Sequence, residues 1–233
     1  MNRLKIFYLI FILLPGMVAA QSFEGVVTYT IDVETSPQAA QMGITKAALI
    51  NKMKEQNLWS DTETVTYKGG LYRTELLSPK RTWTIYRSDS NKIYHLQDSL
   101  NECMVISVSG VGKGHVKQVD TTIKILGHQC KLVSISWGDT LIEYAYSPDG
   151  AWRLSPQLYK NDVFDGWYEY LNVAGTVPLQ IKRVMNDIGT IIYTAVRIDK
   201  KQIDSKVFAL PRMHTDTTRL DPATNVYYMK IDK

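Results

Sequence analysis

The side chains best able to hold a metal or serve a nucleophile are four histidines, His95, His115, His128 and His214, and two cysteines, Cys103 and Cys130. No two of the histidines stand at metal-ligand spacing, and neither His-Glu-x-x-His nor Cys-x-x-Cys occurs. Ser109-Gly110-Val111-Gly112-Lys113-Gly114 is rich in glycine but fails the spacing of a phosphate-binding loop, and strand follows it where a helix is required. Ser107, Ser109, Ser134 and Ser136 lie in strand-like sequence without a Gly-x-Ser-x-Gly elbow. Asp139, Glu143, Asp149, Asp162, Asp165 and Glu169 supply carboxylates of the kind that acid–base pairs need, and equally of the kind that solvates turns. We therefore expect no enzyme, no cofactor and no metal.

Aromatic and apolar residues are the better candidates for contact with a ligand. Trp152, Trp167 and Tyr168 stand in a long connection, Ser147 to Thr176, that is too aromatic to lie free in solvent. They serve either as sugar-stacking platforms or as lid and core. Met42, Leu49 and Met53 recur at helical spacing and raise the same choice, because methionine packs adaptably against variable apolar surfaces.

The elements that must position these residues follow from periodicity. Phe23, Gly25, Val27, Tyr29, Ile31 and Val33 alternate with more polar neighbours, which predicts a strand with one buried face. Ser36 and Pro37 then form a helix start, and the pattern predicts one long helix through about Gln56. From Asp61 the texture is β, with strands expected over 62–67, 71–77, 81–87, 92–96, 103–108, 116–126, 131–137, 140–146, 179–185 and 190–198. Shorter candidates cover 206–210 and 225–231. The connections are too short for helical crossovers, so the sheet is expected to be antiparallel.

The ends and the charge bound the setting. Arg3 and Lys5 precede the apolar run Ile6 to Leu14, then Pro15, Gly16 and the small residues Val18, Ala19 and Ala20. This predicts a cleavable secretory signal over residues 1–20 and a single mature domain over 21–233, in the periplasm or otherwise exported to the cell envelope. The formal net charge of +4 is too weak for a nucleic-acid surface, and no further apolar run is long enough to span a membrane. An oxidising compartment would join Cys103 to Cys130, a cross-link contributing roughly 3–4 kcal/mol. The alternatives are two buried free thiols or a pair in which only one cysteine is structural.

Four segments in order resemble a Bacteroidota group of uncharacterised exported proteins, the GLPGLI-like (DUF4412) family. They are Phe23-Glu24-Gly25-Val26-Val27-Thr28-Tyr29, the run Thr122 to Lys131 with Ile125-Leu126-Gly127-His128-Gln129-Cys130-Lys131, Gly175-Thr176-Val177-Pro178-Leu179-Gln180-Ile181, and Asp204 to Pro211. His128 departs from the aromatic residue usual in that family. The resemblance implies an α+β fold similar to the lipoprotein carriers of the LolA/LppX type: a strongly curved antiparallel sheet, an unclosed half-barrel, with the long N-terminal helix covering its concave face. It implies no catalytic residues. The expected function is binding or carrying an apolar ligand, a lipid or acyl chain, in the cell envelope. The alternatives are a non-catalytic structural or interaction module with an envelope protein partner, and a hydrolase of envelope polymers.

Overall fold

The computed structural model describes residues 22–56, 59–76, 82–97, 101–108, 114–162, 164–185, 188–221 and 226–232. The predicted signal segment 1–20 and the glycine-rich residues 109–113 lie outside them.

Strand β1 (Gly25–Thr35) buries Val27, Tyr29 and Val33 while its alternate residues face outward, as its period-two pattern requires. On one flank it pairs with β2 (Thr62–Lys68), and β3 (Leu71–Leu76), β4 (Thr82–Arg87), β5 (Lys92–Gln97) and β6 (Glu102–Ser107) follow in a meander. On its other flank lies β11 (Gly189–Lys200), followed outward by β10 (Gln180–Met185), β9 (Thr140–Tyr146), β8 (His128–Trp137) and β7 (His115–Ile125). Beyond β6 the sheet is extended by β13 (Val226–Ile231) and β12 (Met213–Asp221).

This corrects the expected half-barrel. Thirteen strands form one open antiparallel sheet, neither closed nor strongly curved, ending in β12 on one side and β7 on the other. Curling a sheet takes repeated bulges or glycine kinks. Here the register shifts in only three of the pairings, β1–β11, β7–β8 and β12–β13.

The long helix is corrected too. Ser36 caps as expected, its Oγ accepting the Ala39 N–H at 3.0 Å with Pro37 in the first turn, but α1 (Pro37–Gln41) stops after five residues. Gly43 takes a left-handed φ of 77°, and Thr45 then caps a new helix, α2 (Lys46–Glu55), by accepting the Ala48 N–H. A second cap inside the periodic run divides it. No residue of α2 is fully buried.

One face of the sheet carries the main core. The connection 147–179 folds over it through two 3₁₀ turns, Pro156–Tyr159 and Phe164–Gly166, and α3 (Trp167–Ala174). Tyr170 stacks on Tyr144 at 4.4 Å and donates its hydroxyl to the Thr176 carbonyl at 2.9 Å. Tyr159 stacks against Tyr86, and Trp167 against Tyr67. The opposite face is covered by residues 201–210: Ile203 and Phe208 pack on Ile85, while Arg73 donates to the Val207 carbonyl at 2.7 Å.

The expected disulfide is absent, and both cysteines are buried free thiols. Cys103 packs with Tyr94, Leu96 and Val105 on the second face, whereas Cys130 belongs to the main core. Eight strands separate β6 from β8 in the sheet, so neither the ladder nor the side-chain direction brings the sulfurs together. Burial pushes the Cys103 thiol up to about 12 and raises that of Cys130 as well.

Candidate functional site

Two cavities meet on the face of the sheet that bears the main core. The larger, about 800 Å³, is a groove between α2 and the sheet. Ile44, Ala48, Leu49 and Met53 form its helical wall, and Ile31, Ile191, Met185 and Leu76 its floor, with Lys52 and Gln56 among its few polar neighbours. A helix lying on a sheet normally buries its apolar stripe. Here that stripe stays only half-buried, and the space it would fill is open.

The smaller cavity, about 250 Å³, is a chamber of different chemistry. Strand β2 contributes Glu63, Val65 and Tyr67; β3 contributes Tyr72, Thr74 and Leu76; β10 contributes Ile181 and Arg183. The cross-strand partners Glu63↔Leu76, Val65↔Thr74 and Tyr67↔Tyr72 place these side chains on one face. Tyr144, Tyr193, Phe164, Asp165 and Trp167 complete the walls, with Thr84 and His95, which bond each other at 2.9 Å. Leu76 and Tyr193 line both cavities, so groove and chamber adjoin.

Asp165 is held in a left-handed conformation, φ 55°, beside Gly166 at φ 67°. The tight turn lets the Asp165 carbonyl accept the Tyr144 hydroxyl at 2.8 Å while its carboxylate faces Arg183. Arg183 donates both Nε and Nη2 to Asp165 Oδ2, at 3.0 and 2.7 Å, and its guanidinium lies over the Tyr193 ring at 4.9 Å. Glu63 is only 8% exposed and has no hydrogen-bond donor among the described residues. Burial raises its carboxyl to about 7; Arg183 draws it down and Asp165 pushes it up. His95 is shifted the other way by burial, toward the neutral imidazole.

Behind the chamber Asp162 is fully buried, neither carboxylate oxygen has a hydrogen-bond partner among the described residues, and burial holds its carboxyl well above the usual range. The Tyr72 hydroxyl and the Phe164 N–H lie close enough to favour its ionised form, but burial outweighs them.

The residues singled out from the sequence divide evenly. Leu49 and Met53 line the groove, and Trp167 lines the chamber. Met42 is 62% exposed at the end of α1, Trp152 packs edge-on against His128 at 4.9 Å, and Tyr168 is half-buried; none of the three lines either cavity. Glu63, Arg183 and Tyr193 were not foreseen. The signal was present: Glu63-x-Val65-x-Tyr67 and Ile181-x-Arg183 each put a charge on the apolar side of an alternating strand. Among the described residues no group of three or more His, Cys, Asp or Glu could hold a metal, and no helix is long and apolar enough to cross a membrane.

No family model matches the chain, the GLPGLI-like family included, and no curated protein matches it. Solved structures give distant similarities. A LolA superfamily protein from Nitrosomonas europaea is 10% identical, with a TM-score of 0.37 over 81% of this chain and 91% of that one. PNGF-II is 13% identical in two crystal forms, with TM-scores of 0.34 and 0.36 over 79% and 80% of this chain. The chain spans 29% and 30% of the PNGF-II chains in those two forms.

Proposed function

We propose that this protein binds an apolar ligand, an acyl chain or lipid, in the groove between α2 and the sheet. The observation that carries the reading is the groove itself: about 800 Å³ of apolar-lined space under a helix with no fully buried residue. That volume lies within the roughly 300–1,000 Å³ usual for ligand pockets. Each methylene moved there from water contributes about 0.8 kcal/mol, so a chain of ordinary length has ample driving force. Helix α2 is short, capped at its own Thr45 and joined to α1 through Gly43, so it can shift to admit a ligand without disturbing the strands. We place the protein in the cell envelope as an exported single domain, with residues 1–20 removed as its signal.

Native mass spectrometry on protein purified gently from its own host tests the proposal. A co-purifying lipid is expected, and it is expected to be lost in Leu49→Asp. Ligand-free protein that also fails to bind a fluorescent fatty acid would sink the reading.

A further inference from the structure

The groove ends where a chamber of buried charge begins, and that junction has a chemical consequence. We infer that groove and chamber form one site for a cationic amphiphile, the tail lying under α2 and a substituted ammonium head seated in the chamber with Glu63 as its counter-charge. The inference rests on the groove reading above and adds the class of head group.

Charge within the chamber points to a cation. Arg183 donates two hydrogen bonds to one oxygen of Asp165, so the charges of that pair largely offset each other. Glu63 is left as a carboxylate nine-tenths buried, without a donor among the described residues, and it lines the open space. With Glu63 ionised, the three charged groups sum to one negative charge. Apart from Arg183, the neighbouring walls add no cation: His95 is bonded to Thr84 and shifted by burial toward the neutral imidazole, and the phenols of Tyr29, Tyr67, Tyr72, Tyr144 and Tyr193 are raised above their ordinary value. Burial raises the carboxyl of Asp162, behind Tyr72, well above its ordinary value, which favours its neutral form.

Shape agrees with charge. Tyr67 and Tyr72 meet Trp167 at 6.3 and 6.0 Å, and Tyr144 lies 6.2 Å from the same indole, so the chamber is walled by rings around the carboxylate. Aromatic faces beside a carboxylate attract alkylated ammonium groups, which they desolvate at less cost than a primary ammonium. Arg183 over Tyr193 is an instance of a cation already held on a ring in this chamber.

Isothermal titration of the purified protein with dodecyltrimethylammonium, 1-dodecanol and dodecanoate, each below its micellar concentration, tests the inference. At about pH 8 the ammonium is expected to bind at least ~10-fold more tightly than the alcohol. That advantage is expected to shrink about tenfold by about pH 6 as Glu63 takes up its proton, since the trimethylammonium charge is fixed and Glu63 titrates near 7. Glu63→Gln is expected to abolish the preference for the ammonium over the alcohol, while Leu49→Asp weakens all three. Equal affinity for the three probes, or an ammonium preference that survives Glu63→Gln, overturns the head-group assignment and leaves the groove standing. Tighter binding of dodecanoate overturns it as well, moving head-group contact to Lys52 beside the groove. Failure of all three to bind overturns both readings.

Discussion

Glu63 makes the stability of this protein depend on pH in a direction opposite to that of a salt-bridged carboxylate. Its folded value is about 7 against an ordinary 4.5, because burial at 8% exposure outweighs the pull of Arg183. The folded state therefore holds the proton more tightly than the unfolded state. The stabilisation is complete below the unfolded value and is lost as pH rises through about 7. A difference of roughly 2.5 units at about 1.36 kcal/mol each amounts to about 3 kcal/mol. Glu63→Gln keeps the shape of the protonated side chain and removes the titration. Urea unfolding of both proteins from about pH 4 to pH 8 measures the effect. The stability of the variant minus that of the parent is expected to climb by about 3 kcal/mol across this range, and more steeply in an Arg183→Gln background. Parallel profiles for parent and variant would refute the reasoning, because they would mean that Glu63 ionises as easily in the chamber as in water.

Asp162→Asn is expected to be more stable than the parent at neutral pH, with the gain fading toward about pH 4, because the buried unpaired carboxyl is raised as Glu63 is; the same unfolding series reads it. Both thiols are expected to resist alkylation in the native protein and both to be labelled after unfolding without reductant, as intact mass would show; an unfolded protein that takes no label would restore the disulfide. Tyr170→Ala removes a fully buried ring stacked on Tyr144 and is expected to cost about 3–5 kcal/mol in denaturant unfolding. Gly166→Ala sets a Cβ 2.7 Å from Ile135 Cγ2 at a left-handed φ, and is expected to cost about 2 kcal/mol and to weaken the Arg183–Asp165 contact, read as a lower melting temperature.

The first eleven strands were legible because alternation is a local signal: Leu71–Leu76 and Thr140–Tyr146 begin and end within a residue of where their turns predict. Strand β12 was missed, since its run of Thr, Asp and Arg offers no apolar alternation, and its pairing with β13 rather than its own pattern defines it. The segment 206–210 reads as strand but forms a 3₁₀ turn, because Asp204 accepts the Lys206 N–H at 2.9 Å and tightens the chain. The broken helix was foreshadowed by Thr45, whose capping role was hidden inside an apolar period. The chamber was out of reach for another reason. It draws Glu63 from β2, Arg183 from β10 and Asp165 from the connection before α3, and only the β1–β11 pairing makes these neighbours. Cysteine spacing likewise carries no information about which face of a sheet each thiol occupies.

That β1–β11 pairing also sets the order in which the molecule can assemble. Of the pairings in the sheet, only β1–β11 and β6–β13 join strands that are not consecutive along the chain. The meander β1–β6 and the meander β7–β11 each pair consecutive strands, with 36–61 and 147–179 as their longest closures, and can form independently of one another. Joining them requires residues some 160 apart, such as Thr30 and Thr194, to meet in register. The chamber spans that seam, with Glu63 on one meander and Arg183 on the other. Its charges face each other only once the least local pairing in the sheet has formed, so the site exists in no partly folded form that lacks the seam.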